Sequence, residues 1–114
     1  TVLFGCGGNR DQNKRSKMGK IASDFADSII LTNDNPRFEN PQKIRRDIKK
    51  GIKKKRITEI SNRTIAITQA IHNLNLGDIL SNSMCIECLF SFHSTFNNLS
   101  NSLNLSLNIS FSIL

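Results

Sequence analysis

Strand-like apolar runs and helical apolar faces alternate along the first eighty residues of the chain. Uninterrupted apolar runs lie at 2–4 and 29–31, residues 57–60 are typical of a third strand, and residues 78–80 begin a fourth. Between them, apolar residues recur at the i, i+3, i+4 and i+7 spacing of a helix that buries one face. Four strands therefore alternate with three helices, and this order predicts a three-layer α/β unit built on parallel strands.

The helices are indicated by their apolar faces and by residues that favour helix ends. The second helix begins at Asn40, a capping residue followed by a proline, and ends near Gly51. Between them, Ile44 and Ile48 form a narrow apolar stripe. The expected apolar faces of the other two helices are Met18, Ile21, Ala22 and Phe25, and Ile67, Ala70, Ile71 and Leu74. The pattern predicts a Rossmann-like domain with a mostly parallel sheet.

Polar loops with charges of both signs follow the first two strands. Arg10 lies in the glycine-rich run 5–11, and the motif Asp-Asn-Pro-Arg follows the second strand at 34–37. Because ligands of open α/β sheets bind beyond the carboxyl ends of the strands, we expect both loops to contribute to one site. Two arginines, a carboxylate and an amide suit a ligand that carries carboxylates and amines.

The glycine-rich run has two interpretations. Gly5, Gly7 and Gly8 would let the backbone turn sharply and approach a phosphate, whose charge Lys14 and Arg15 could neutralise. A glycine cluster after a strand is as often a simple tight turn. The residues of the loop alone leave both alternatives open.

Charge divides the chain near residue 80. All 16 lysines and arginines precede residue 81, and nine of them lie at 43–56. Such a run could bind nucleic-acid phosphates, but it contains no aromatic residues for base stacking, so we favour a solvated helix face.

No apolar stretch approaches the roughly 18 residues of a membrane span, and no signal-peptide pattern precedes the first strand. We therefore expect a cytoplasmic protein without membrane contact, of undefined oligomeric state.

Several motifs together resemble a known family. They are Val-Leu-Phe-Gly-Cys-Gly-Gly-Asn-Arg-Asp at 2–11, Met-Gly-Lys-Ile-Ala at 18–22, Asp-Asn-Pro-Arg at 34–37 and Asn-Pro-x-x-Ile at 40–44. They are similar to the C-terminal domain of Mur ligases, specifically of the MurE type. These enzymes add meso-diaminopimelate to UDP-N-acetylmuramoyl-L-alanyl-D-glutamate.

The resemblance implies an ATP-dependent reaction in which this domain positions the amino acid. ATP, with Mg²⁺, phosphorylates the D-glutamate side chain, and the diaminopimelate amine attacks the acyl phosphate. In the family, other domains bind most of the nucleotide and the UDP-sugar. We therefore assign no catalytic residue to this chain and expect it to be inactive alone. The alternatives are a basic nucleic-acid-binding module and a non-catalytic remnant.

The resemblance also implies a role for each loop residue. Arg37 would pair in bidentate fashion with the distal carboxylate of diaminopimelate, which lysine lacks. Arg10 would hold a carboxylate, and Asp34 and Asn35 would position polar groups of the ligand. The nucleotide side would include Asn9, Lys14 and Arg15. At position 9 the family commonly has aspartate, so a negative charge is missing there.

The resemblance ends near residue 80. The family continues the fourth strand into a Gly-Lys-Gly-His-Glu loop that helps bind diaminopimelate, whereas this chain continues into Ser, Asn, Leu and Phe. We therefore expect a partial Mur ligase C-terminal domain at 1–80, with a sheet incomplete at its C-terminal end, and a tail of uncertain structure at 81–114. Strict alternation at 103–113 is typical of a strand, either a replacement edge strand or, as we favour, the product of a frame-changed or degenerate gene end.

A second motif in the tail raises the alternative of a zinc site. Cys85, Cys88 and His93 lie close together, but a structural zinc needs four ligands and Cys6 is far away in another loop. We therefore predict no metal site.

Overall fold

The computed structural model describes residues 1–53, 56–83 and 109–111, which form five strands and three helices. The strands are β1 (Val2–Phe4), β2 (Ser28–Thr32), β3 (Arg56–Ile60), β4 (Leu80–Ser83) and β5 (Ile109–Phe111). The helices are α1 (Asn13–Phe25), α2 (Pro41–Lys49) and α3 (Arg63–His72). The strand order is β3-β2-β1-β4-β5 and every pairing is parallel. The predicted α/β class with a parallel sheet is confirmed.

Helices cover both faces of the sheet. Val2 and Phe4 of β1 belong to a core shared with α1 and α2, whereas Leu3 between them packs in a second core with α3. Because successive residues of a strand point to opposite faces, a strand covered on both sides must be apolar throughout. This explains why β1 and β2 are continuous apolar runs and why the domain has three layers.

Helix α2 begins as predicted from its capping residue. The Asn40 side chain accepts a hydrogen bond of 2.8 Å from the amide of Gln42, and Pro41 is the first helical residue. Ile44 and Ile48 are buried against the sheet. The cap defines where the loop between β2 and α2 ends, and it therefore constrains the positions of the side chains in that loop.

Most of the predicted buried faces of α1 and α3 are confirmed, but two positions are wrong. Three predicted residues are buried and three more pack against the cores while partly exposed, namely Met18, Ala22 and Ala70, and Ile21, Ile67 and Leu74. Phe25 is 57% exposed, because the buried stripe of α1 is centred on polar and small residues, Arg15 and Gly19, which place Phe25 at its margin. Ile71 of α3 is 39% exposed, since this helix packs on the sheet through Ala66 and Ala70. The hydrophobic pattern overlooked small or charged residues that face the core.

The described residues of the tail lie in two strands, since 81–83 belong to β4 and 109–111 form β5. Ile109–Phe111 pairs in parallel with β4, within the alternating segment 103–113. The rest of that segment lies outside the described residues. No described helix has the length and apolar character needed to cross a membrane.

Candidate functional site

Two loops meet beyond the carboxyl ends of β1 and β2. We refer to residues 5–12 as the glycine loop and to residues 33–40 as the arginine loop. The amide of Gly8 donates a hydrogen bond of 2.8 Å to the carbonyl of Asn35, and the Arg37 guanidinium donates one of 3.1 Å to the carbonyl of Gly8. Adjacent parallel strands thus bring the two predicted motifs into direct contact.

The glycines allow this close contact between loops. A Cβ atom on Gly8 would lie 1.8 Å from the carbonyl oxygen of Pro36, and one on Gly5 would lie 2.6 Å from that of Thr32. Backbone atoms of the arginine loop therefore fill the space beside the glycines. The glycines are therefore required for the approach of a second loop, a role that neither interpretation of the run included.

Both loops contain a non-glycine residue in the left-handed region. The φ angles are 52° at Asn9 and 51° at Arg37. Asparagine adopts this conformation readily, whereas arginine does so at a cost of about 1 kcal/mol. The Asn35 side chain accepts a hydrogen bond of 3.1 Å from the Arg37 amide and so closes the turn. Strained backbone held by its surroundings often marks a functional site.

Arg15 is buried beneath the loops and does not face solvent. Its side chain is 0% exposed, and its two terminal nitrogens lie 2.8 Å from Glu39 and 3.3 Å from Asp47. The hydrogen bond from Arg15 is the main reason that the pKa of Glu39 lies below its ordinary value, and the bond to Glu39 raises the pKa of Arg15. This corrects the prediction that Arg15 faces a phosphate: its charge is neutralised inside the protein.

The other predicted ligand residues lie nearer the surface. Arg10, Lys14 and Asn35 are exposed, and Asp34 is half-buried close to Gly7. Within the described parts of the chain, the side chains of Arg10 and Lys14 make no hydrogen bond or ion pair. Asn9, predicted on the nucleotide side, is also exposed, and its side chain links the loops by accepting a hydrogen bond of 3.3 Å from the amide of Phe38.

An open groove of about 510 Å³ lies beside the arginine loop, where β2 and β3 end and α2 begins. Its lining comprises Asn33, Arg37, Phe38, Glu39, Asn40, Pro41, Gln42, Arg45 and Ser61. Of the residues predicted to bind substrate, Arg37 lines this groove, and Arg10, Asp34 and Asn35 do not. Sequence reasoning missed Glu39, because a lone acidic residue two positions after the motif forms no recognisable pattern.

Part of the basic run is paired within the domain. Arg45 is 7% exposed and donates to Asn33 and, at 3.0 Å, to Glu59. Lys49 also donates to Glu59, and this bond is the main reason that the pKa of the Glu59 carboxyl is lowered. Lys50, directly after α2, forms an ion pair of 2.7 Å with Asp47 of that helix. These pairs reduce the positive charge that the run can offer a polyanion.

The cysteine and metal predictions concern two parts of the chain. Cys6 in the glycine loop is partly buried, and burial raises the pKa of its thiol, although hydrogen bonding to Arg15 opposes the effect. Among the described residues, no group of three potential metal ligands exists. Cys85, Cys88 and His93 lie outside the described residues.

Comparison with known proteins identifies the family. Residues 1–81 match the model of the Mur ligase family, glutamate ligase domain. The chain is 57% identical over 79 residues to a protein of Rickettsia felis, 58% over 80 residues to one of Rickettsia conorii and 49% over 79 residues to one of Chlorobaculum tepidum. Each relative is named UDP-N-acetylmuramoyl-L-alanyl-D-glutamate–2,6-diaminopimelate ligase. The matches cover 69 to 70% of this chain and 15 to 17% of the relatives, so the chain spans about one sixth of their length.

Proposed function

Because the chain belongs to the Mur ligase family, we propose that it is the amino-acid-binding domain of a ligase adding meso-diaminopimelate to UDP-N-acetylmuramoyl-L-alanyl-D-glutamate. This reaction would be a cytoplasmic step of peptidoglycan precursor synthesis. The observation that carries the proposal is the position of Arg37, held in a left-handed turn at the edge of an open groove. The names of the similar proteins supply the ligand to be tested.

Arg37 has the geometry needed to bind a carboxylate. One terminal nitrogen donates to the carbonyl of Gly8 at 3.1 Å, and the remaining guanidinium N–H groups make no hydrogen bond to any described residue. A guanidinium fork pairs with a carboxylate through two parallel hydrogen bonds, which an ammonium group cannot reproduce. Arg37 would hold the distal carboxylate of diaminopimelate and so discriminate against lysine, which ends in an amine alone.

Other residues of the two loops would hold the remaining polar groups of the ligand. Arg10 in the glycine loop would attract a carboxylate, and the Asp34 carboxylate would attract an amine. Asn35 would position the ligand by hydrogen bonding through its amide nitrogen, because its oxygen already closes the turn at Arg37. The contribution of this site to catalysis is the positioning of the attacking amine.

The nucleotide would be held mainly by other domains of the complete ligase. The ligase reaction would require ATP and Mg²⁺ and would pass through an acyl-phosphate intermediate. We propose no phosphate site at the glycine loop of this chain, since the arginine loop lies beside Gly5 and Gly8 and Arg15 is buried. Asn9 and Lys14 remain the exposed candidates on the nucleotide side.

Calorimetric titration of the chain with meso-diaminopimelate tests this proposal. We expect Arg37→Ala to weaken binding about 10- to 100-fold, because hydrogen bonds to charged groups contribute about 1.5 to 3 kcal/mol. Arg37→Lys should recover little of the loss, and L-lysine should bind wild type weakly. Lys17→Ala, which removes an exposed charge of α1 away from the groove, is the matched control. A folded wild-type chain that binds no diaminopimelate would refute the proposal.

A further inference from the structure

The carboxylate of Glu39 joins three parts of the domain. Its Oε1 atom accepts a hydrogen bond of 2.5 Å from the backbone amide of Asn9 and one of 2.8 Å from Arg15. Glu39 itself lies in the arginine loop, Asn9 in the glycine loop and Arg15 on α1. One oxygen atom therefore connects both ligand loops to the buried face of a helix.

This connection extends to both left-handed residues. Asn9, whose amide is held by Glu39, accepts a hydrogen bond from the amide of Phe38, the residue after Arg37. The Arg37 guanidinium donates to the carbonyl of Gly8, the residue before Asn9. Each left-handed residue is thus flanked by hydrogen bonds that depend on how the two loops are aligned.

Arg15 holds the Glu39 carboxylate in place from the buried side of the loops. Its side chain is fully buried, so its guanidinium has little freedom to follow a displaced partner. Arg15 also donates to Asp47 of α2, but Asp47 makes no hydrogen bond to either loop within the described residues. Two acidic residues therefore share the same arginine, and only Glu39 contacts the ligand loops.

We propose that Glu39 is a positioning residue for Arg37: anchored by Arg15, it holds the amide of Asn9 and thereby keeps both loops in the conformation that presents the Arg37 fork. The proposal deepens the proposed function and rests on it for the identity of the ligand. Glu39 does not bind the ligand itself, because its Oε1 atom already serves two donors and its Oε2 atom is buried.

The test combines amide hydrogen exchange, followed by NMR, with titration by meso-diaminopimelate. In Glu39→Ala we expect exchange of the Asn9 amide to accelerate about tenfold and affinity to fall about tenfold, as for the loss of one hydrogen bond to a charged group. Glu39→Gln keeps an oxygen that can accept from Asn9, so it should restore both quantities to within about threefold of wild type. Asp47→Asn is the control: it removes the negative charge of the second partner of Arg15 and should change neither quantity by more than about twofold.

Two results would overturn the positioning role: unchanged exchange of the Asn9 amide in Glu39→Ala, or equal effects of Glu39→Ala and Asp47→Asn. If Glu39→Ala does not fold, Glu39→Asp replaces it, since its shorter carboxylate keeps the charge and should lose the bond to Asn9. Failure of the proposed function is separable. In that case wild type would bind no diaminopimelate, whereas the exchange of Asn9 would still depend on Glu39.

Discussion

Replacement of Gly8 by alanine tests the contact between the two loops most directly. The added Cβ would lie 1.8 Å from the carbonyl oxygen of Pro36 and 2.6 Å from its carbonyl carbon. Rotation of a side chain cannot relieve an overlap with backbone atoms. The loops must therefore separate, and separation breaks the hydrogen bond from Gly8 to Asn35 and the bond from Arg37 to Gly8.

The expected cost follows from these two hydrogen bonds. Each contributes about 1 kcal/mol, and overpacking of a closely packed site typically costs about 1 to 3 kcal/mol, so we expect about 3 to 5 kcal/mol less stability. In a domain of this size, 1 kcal/mol lowers the melting temperature by about 4 to 8 °C, so a decrease of about 10 °C or more is expected. Binding of diaminopimelate should weaken too, because Arg37 moves with its loop.

Gly7→Ala is the matched control for this experiment. Its Cβ would lie 3.4 Å from the carbonyl oxygen of Asn35 and 3.8 Å from the Asp34 carboxylate, which are tolerable contacts. We expect its stability to remain within about 0.5 kcal/mol of wild type. Thermal melts followed by circular dichroism measure both variants. Equal melting temperatures for Gly8→Ala and Gly7→Ala would refute the close approach of the loops.

The remaining predictions concern stability. Hydrogen bonds from basic side chains hold the pKa values of Glu39 and Asp47 below their ordinary values of 4.5 and 3.8. The contribution of these ionised carboxylates to folding stability is therefore complete at neutral pH and is lost as acid protonates them. Denaturant midpoints should therefore be constant above about pH 5.5 and fall below it; constant midpoints down to pH 3 would contradict this. Ile48→Ala, at a fully buried position, should lower the free energy of unfolding by about 2 to 5 kcal/mol. Phe38→Ala, at a side chain that is 96% exposed, should change the free energy of unfolding little, and urea titration would show the difference. Asn40→Ala removes the cap of α2 and should cost about 1 kcal/mol by the same measurement; no loss would show that the cap is dispensable.

Local patterns in the sequence were sufficient for the elements of the fold and for the meeting of the two loops. The runs at 2–4 and 29–31 are apolar without interruption, which only strands covered on both faces require, and the cap at Asn40 defined the start of α2. Parallel strands joined by helices end at one edge of the sheet, so the two motifs that follow them had to be neighbours. These features depend on residues close together in the chain.

The tertiary structure decided what the individual residues do at that edge. Arg15 and Lys14 are consecutive basic residues, yet one is buried in a salt bridge and the other is exposed, because α1 turns only one of them toward the acidic groups of the arginine loop and α2. Likewise, Gly8 accommodates a neighbouring loop that lies 28 residues further along the chain, at Pro36. Glu39 became visible as an anchor only when three distant segments were brought to one oxygen atom. Hydrophobic periodicity describes which face of an element is buried, but it contains no information about which polar group from another segment lies opposite.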